Sequence, residues 1–316
     1  MRVLVTGACG YIGPVMVAAL RAAGYVVDAL DVGWFLNQYA EWPAFARLAM
    51  FEDIREPLVL PNYDGIVHLA GLSNDPLGNL HPNLTVEINT RGTTRIMAAH
   101  PRTRHVFVSS CSVYGANQMA TEASPTNPLT AYARSKVLVD DWLDAHPTVN
   151  GISLRLGTVY GYSPGHRTDL VVNAMTYAAA QGRDITVDNG ASRPIVHVED
   201  VATAILWALG ESKRGVVNVV GENTTIPEIA ETIASFVGAD IRRAPTGSVD
   251  QRDYAADGSL LRSQGWQPRH SLEGSIPVLF EKTLGLPIRD YTRIGAIQTM
   301  IESGILTPQL TRKGAP

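Results

Sequence analysis

The chain has only two cysteines in 316 residues, Cys9 and Cys111, too few and too far apart for a disulfide framework and without metal-ligand spacing. No sign of charge dominates either. The 26 Lys and Arg against 30 Asp and Glu leave a formal net charge of −4 with no basic run, which argues against a nucleic-acid partner. No apolar stretch approaches the ~18 uninterrupted residues of a membrane span. The opening MRVLVTG already reads as a core strand, which leaves no room for a signal peptide. Internal repeats and low-complexity tracts are missing as well. These absences point to a reducing, cytoplasmic setting, with no metal expected. The 45% hydrophobic and 18% charged composition is that of an ordinary globular protein, long enough for one large α/β domain and a smaller partner region.

What the chain does contain is concentrated first in MRVLVTGACGYIGPVMVAALRAAGYVVDALD. Arg2 to Thr6 reads as a buried strand, and Gly7, Gly10 and Gly13 open a helix carrying Met16, Ala19, Leu20 and Ala23. Tyr25 to Leu30 is a second β-rich run that ends at Asp31. Strand, glycine turn, helix, strand and acid in that order form the context in which a glycine triplet implies a dinucleotide. The glycines let backbone approach a pyrophosphate, whose charge then meets the free N–H groups of the helix end. Asp31 is placed to accept hydrogen bonds from an adenosine ribose and to repel a 2′-phosphate, and VGWFLNQ after it supplies no cation, so NAD is expected over NADP.

The remaining chain alternates strand and helix as far as Gly161. Strands are expected at 47–50, 64–71, 105–110 and 151–156. Helices are expected at about 83–100 and 131–145, with a loop over 72–82. That rhythm implies a Rossmann-type, doubly wound parallel sheet. Beyond Gly161 it changes to helices at 170–181, 199–209 and 226–237, the last capped by Thr225, and short strands at 184–187, 194–198 and 216–220. The tail past Thr307 reads as frayed. We therefore expect an NAD-binding domain over 1–165, also receiving strands and helix from about 193–221. A smaller mixed α/β substrate-binding region would be formed by 166–192 and 222–316. Asp53-Ile54 suits an adenine edge and face, or equally a turn acid and a core Ile. His68 within its apolar run reads as a core histidine. Asn89, disfavoured inside a helix, would bridge backbone groups of neighbouring strands or else simply be exposed.

The chemistry resides in Tyr132 and Lys136, one turn apart on a helix face, and in Ser110 at a strand end where ligands gather in open α/β sheets. A free tyrosine has a pKa near ~10. A neighbouring ammonium would lower it toward a working base, while Ser110 would bond the same substrate oxygen.

With these residues in place the chain resembles the extended short-chain dehydrogenase/reductase family, in its nucleoside-diphosphate-sugar epimerase and dehydratase branch. The resemblance rests on Thr6-Gly7-x-x-Gly10-x-x-Gly13, Asp31, Asp53-Ile54, His68-Leu69-Ala70, Asn89, Ser109 to Gly115, Tyr132-x-x-x-Lys136, Arg193 to Asp200 and Arg252-Asp253-Tyr254. It implies Ser110, Tyr132 and Lys136 as the catalytic triad. Cofactor contacts are expected from Gly7, Gly10, Tyr11, Ile12, Gly13, Asp31, Asp53, Ile54, Leu69, Ala70, Gly71, Asn89, Ser109, Tyr132 and Lys136. Ser73, Ser110, Ser112, Asn173, Arg193 and Arg252 would hold the nucleotide-sugar, the arginines suiting phosphate oxygens or serving only as solvated surface. The branch's 4,6-dehydratases carry an acid pair where this chain has Cys111 and Ser112, which argues against dehydration. Cys111 reads as a small semi-buried residue. The resemblance implies an NAD-dependent epimerase working at C4 through a keto-sugar, with a 4-ketoreductase or dehydrogenase as the alternative and a non-catalytic NAD-binding protein as a third reading. It also implies a homodimer built through two helices that include the Tyr132–Lys136 helix.

Overall fold

Val3, Leu4 and Val5 are each fully buried, as a strand covered on both faces requires. They belong to a computed structural model that describes residues 1–36, 49–187, 190–243, 253–286, 292–304 and 306. Its strands in chain order are β1 (Arg2–Thr6), β2 (Val26–Asp31), β3 (Ala49–Phe51), β4 (Gly65–His68), β5 (Arg104–Ser110) and β6 (Gly151–Leu156). They continue with β7 (Thr158–Tyr160), β8 (Ile185–Val187), β9 (Ser192–His197), β10 (Gly215–Val219), β11 (Glu222–Thr225) and β12 (Ile241–Arg243). Helices α1 (Gly13–Ala22), α2 (Asp75–Leu80), α3 (Pro82–Val86), α4 (Thr93–Ala99), α5 (Ala131–Ala145) and α6 (Val171–Ala180) are followed by α7 (Val198–Gly210), α8 (Ile226–Val237), α9 (Ser259–Ser263), α10 (Leu272–Leu284) and α11 (Ile294–Glu302).

Seven strands form one sheet in the order β3-β2-β1-β4-β5-β6-β10, every neighbouring pair parallel. The chain moves outward from β1 on one side, then crosses to β4 on the other. The ends of β1 and β4 therefore flank the point where the strand order reverses, the place in such sheets where a ligand crevice opens. Gly7 makes this junction possible. Its φ is +71°, and a Cβ there would lie 2.4 Å from the Ala70 backbone nitrogen, so neither the dihedral nor the space admits a side chain. One core lies between this sheet and α1 and α7, with Met16, Val17, Leu20, Val201 and Ile205 packed on Val3, Val67, Val106 and Leu154.

A second core joins α6, α8 and α10 through Val172, Ile229, Ile233, Ile276 and Leu279. It lies beside a three-stranded sheet, β11-β9-β7, and the parallel pair β12-β8. Thr225 caps α8 as expected, in a reciprocal pair with Glu228.

Four expectations need correction. First, β9 joins β7 and β11 and not the large sheet, while α7 and β10, which follow it, do return to the large sheet. Second, the expected loop at 72–82 contains α2, announced by Asn74-Asp75-Pro76, an Asx cap followed by proline in the first turn. Third, the helix expected over 83–100 is broken by a π-turn at Glu87–Gly92 that carries Asn89. The fourth concerns the C-terminal part, which does not stay with the smaller core. Ile297 and Leu306 pack with Leu4, Leu30, Ile54 and Ile66 under the large sheet. Arg252, residues 47–48 of the expected third strand and the tail from 307 lie outside the described residues.

Candidate active site

The switch point opens into a cavity of about 610 Å³ that runs from the glycine turn to the Tyr132 helix. Gly7, Gly10, Tyr11 and Ile12 line it, and so do Ser73, Ser110, Ser112, Tyr132, Lys136 and Arg193. A smaller adjoining pocket is walled by Asp31, Asp53, Ile54, Leu69, Ala70 and Gly71.

Helix α1 has Ile12 at its N-cap position, with no side-chain cap and no acid in its first turn, so its first N–H groups are left for an anion. Asp31 is fixed beside them. Its carboxylate accepts from Cys9 N at 2.9 Å and from Gly33 N at 2.7 Å. Burial raises its pKa, and those two bonds and Arg293 act against that rise. A carboxylate can accept about four hydrogen bonds, which leaves capacity for a ribose. Asp53 also faces the smaller pocket, but its carboxylate is gripped by the Arg55 guanidinium at 2.6 Å. Cradle, acid and apolar wall together fit an adenine dinucleotide.

Ser110, Tyr132 and Lys136 converge as the spacing predicts. Ser110 closes β5 and caps the turn Cys111–Tyr114. Its hydroxyl accepts from Ser112 Oγ at 2.9 Å and is hydrogen-bonded to Tyr132. Thr130 caps α5 through Ala133 N and donates to Asp75 Oδ1, which brings α2 against the first turn of α5. Lys136 donates to Val108 O at 2.7 Å, and its ammonium lies 5.5 Å from the centre of the Tyr132 ring. Burial lowers the Lys136 pKa to about 8. The expected lowering of Tyr132 is not found: burial, and then the charge of Asp75, push the phenol well above its ordinary range. Ser110 and Arg167 oppose the shift. Burial and Asp75 thus favour the protonated phenol.

The side chains of three expected contact residues bond elsewhere. Asn89 accepts from Leu72 N at 2.8 Å and donates to Leu72 O and to Ser135 Oγ, so it joins the loop after β4 to α5 and does not bridge neighbouring strands. Ser109 lines the cavity, but its hydroxyl donates to Asp140 at 3.3 Å. Asn173 is fully buried, accepting from Gly161 N and donating to the Tyr11 hydroxyl. His68 is a core histidine, bonded at 2.9 Å to His105, whose other nitrogen meets His100 O. The Cys111 thiol is fully buried, bonded to Arg155 O, and driven well up in pKa by burial, which leaves it inert.

The cavity also holds residues that the motifs did not reveal. Asp75 lies on α2, read only as loop. Arg167 pairs with Asp169 at 2.6 Å and donates to Ser73 Oγ at 2.5 Å. Nothing in the spacing of Arg167 sets it apart from a surface cation. Asn74 bonds Asp169 from a strained backbone at φ 89°.

A nucleotide cradle at the switch point and a Ser-Tyr-Lys set facing it define a short-chain dehydrogenase of the extended type. The family model for the NAD dependent epimerase/dehydratase family matches residues 3–221, and the chain belongs to that family. It is an NAD-dependent enzyme of the sugar-nucleotide epimerase or oxidoreductase kind. A UDP-glucose 4-epimerase of Corynebacterium glutamicum is 28% identical over 306 residues, 86% of this chain and 92% of that protein. UDP-glucuronic acid decarboxylase 6 of Arabidopsis thaliana is 25% identical, covering 91% of each chain. Among solved structures, the UDP-glucose 4-epimerase of Thermus thermophilus in complex with NAD superposes with a TM-score of 0.76 at 26% identity, over 90% of this chain and 99% of that one. MoeE5 in complex with UDP-glucuronic acid and NAD gives 0.78 at 26% identity, over 90% and 99%.

Proposed function

We propose that the protein is a nucleotide-sugar 4-epimerase, with Ser110, Tyr132 and Lys136 as its catalytic groups and a nucleoside-diphosphate sugar as substrate. The observation that carries this reading is the one cavity in which Ser110, Tyr132 and Lys136 face the glycine cradle with no acid at the two positions after Ser110. Tyr132 takes the proton of the C4 hydroxyl while Ser110 donates to the same oxygen. The Lys136 ammonium, on the same helix face, favours the resulting phenolate. The glycine turn and Asp31 would hold NAD, which would supply a hydride acceptor that gives the hydride back within one turnover. The keto-sugar turns over between the two transfers, and Tyr132 gives its proton back. Arg193 and Arg252 are the proposed diphosphate contacts. The large parallel sheet with α1 to α5 and α7 carries the cofactor, and the second core carries the sugar.

We infer likewise that the enzyme works in the cytoplasm, where its two free cysteines would stay reduced, and that it is a homodimer, the latter reading supported by the 45% exposure of Leu138 on α5.

The test is incubation of purified protein, without added cofactor, with UDP-, GDP-, CDP- and dTDP-sugars, including UDP-glucuronic acid. A new stereoisomer with flat absorbance at the NADH band is the expected result. Stoichiometric NADH formation or consumption would establish the dehydrogenase or ketoreductase instead. Tyr132→Phe should abolish turnover while NAD stays bound, and retained turnover would refute the base.

A further inference from the structure

Arg293 stands far beyond β9 in the chain, yet it lines the cofactor cavity with Gly10, Tyr11 and Phe35. It is buried, with 2% of its surface exposed. Its guanidinium lies over the Phe35 ring at 4.3 Å, and Nη2 donates to Gly165 O at 3.1 Å. Gly165 N in turn donates to Ser163 Oγ, which donates to Tyr11 O at 2.6 Å. Arg293 is thereby linked through one short loop to the backbone of the glycine turn. The next helix fixes it from behind: Arg293 immediately precedes α11, whose Ile297 is fully buried under the large sheet.

The uncapped positive end of α1 and the buried guanidinium face one cavity, and the Asp31 carboxylate already acts on both. A second anion placed between them would add to that attraction. NAD offers one anion at that turn, its pyrophosphate, and an arginine fork fits two phosphate oxygens. Arg293 lines the cavity beside Gly10, Tyr11 and Ile12 and not the smaller pocket of the adenine wall, which favours the pyrophosphate as its partner. Arg293 also lowers the Asp31 pKa, which helps keep the ribose-binding carboxylate ionised.

We infer that Arg293 is a cofactor-binding residue that pairs with the NAD pyrophosphate, and that α11 is the anchor holding it in the cradle. The enzyme thus retains its cofactor with a cation from the far end of its chain.

The experiment compares NAD and adenosine binding by wild type, Arg293→Met and Arg293→Lys, all stripped of cofactor. Methionine keeps the apolar stem on Phe35 and removes the charge. NAD affinity should fall on the order of tenfold to a hundredfold in Arg293→Met. It should fall less in Arg293→Lys, and in both variants adenosine affinity should fall much less than NAD affinity. Equal losses for NAD and adenosine would reduce Arg293 to a structural role, and unchanged NAD affinity would overturn the assignment. Hydrogen exchange on the wild type decides the matter independently of whether the variants fold. NAD, and not adenosine, should slow exchange over 292–303, and an unaltered rate there would refute the anchor.

Discussion

At the level of single residues, Asp75 is the side chain that most alters the expected chemistry. A carboxylate beside Tyr132 opposes ionisation of the phenol, and Asp75 is second only to burial in raising it. Asp75→Asn keeps an oxygen to accept from Thr130 and removes the charge. The acid limb of the kcat/KM profile should therefore move to lower pH, and a limb that stays in place would show that Tyr132 does not set it. Lys136 gives a second test, in stability. Below about 8, the pKa it has in the fold, the ammonium is present in both folded and unfolded chains and its desolvation cost is complete. Between about 8 and the ordinary ~10.4 the unfolded chain holds a proton that the folded chain has released, so stability rises with pH across that window. Lys136→Met removes this dependence. The stability gap between the variant and wild type should narrow by up to about 3 kcal/mol from pH about 7.5 to about 10, as read from urea midpoints.

At the level of elements, the site is a contact between α2 and α5, and Gly78 sets how close they come. A Cβ at Gly78 would lie 2.6 Å from Tyr132 Cβ and 3.0 Å from its backbone nitrogen, neither of which can swing aside. Gly78→Ala should displace α2, and Asp75 and Ser73 with it, at a cost of about 1–3 kcal/mol and with a loss of kcat larger than the loss of NAD affinity. Equal kcat in the variant would show that the contact does not position the base. The α2–α5 contact also shows where sequence reading stops. The glycine triplet, Asp31 and Tyr132-x-x-x-Lys136 were legible because each is local, a few residues whose spacing alone fixes their geometry. The alternation of apolar runs likewise gave the parallel sheet. Asp75, Arg167 and Arg293 were not legible, because each reaches the cavity through a tertiary approach that no local pattern encodes. Asn89 was misread for a related reason: its partners, Leu72 and Ser135, lie 17 and 46 residues away along two different directions of the chain.

At the scale of the whole molecule, the face of α5 opposite the site remains to be explained. Helix α5 turns Ala133, Lys136, Val139, Asp140 and Leu143 inward, and Leu143 packs with Phe107 and Met97. Leu138, between these positions, is 45% exposed on a helix whose mate on the same layer is the α3–α4 segment. A leucine in water forgoes on the order of 1 kcal/mol or more of burial, which a second copy of the same face would restore. A two-fold dimer through α5 would also stiffen the helix that carries Tyr132 and Lys136, so association and activity should be linked. Leu138→Glu places a charge on each side of the two-fold contact. Sedimentation should then show wild type at twice the chain mass of 34.1 kDa and the variant at the chain mass, with turnover per chain reduced and bound NAD retained. A wild-type monomer at micromolar concentration would remove the dimer, and a dimeric Leu138→Glu would move the interface to another face.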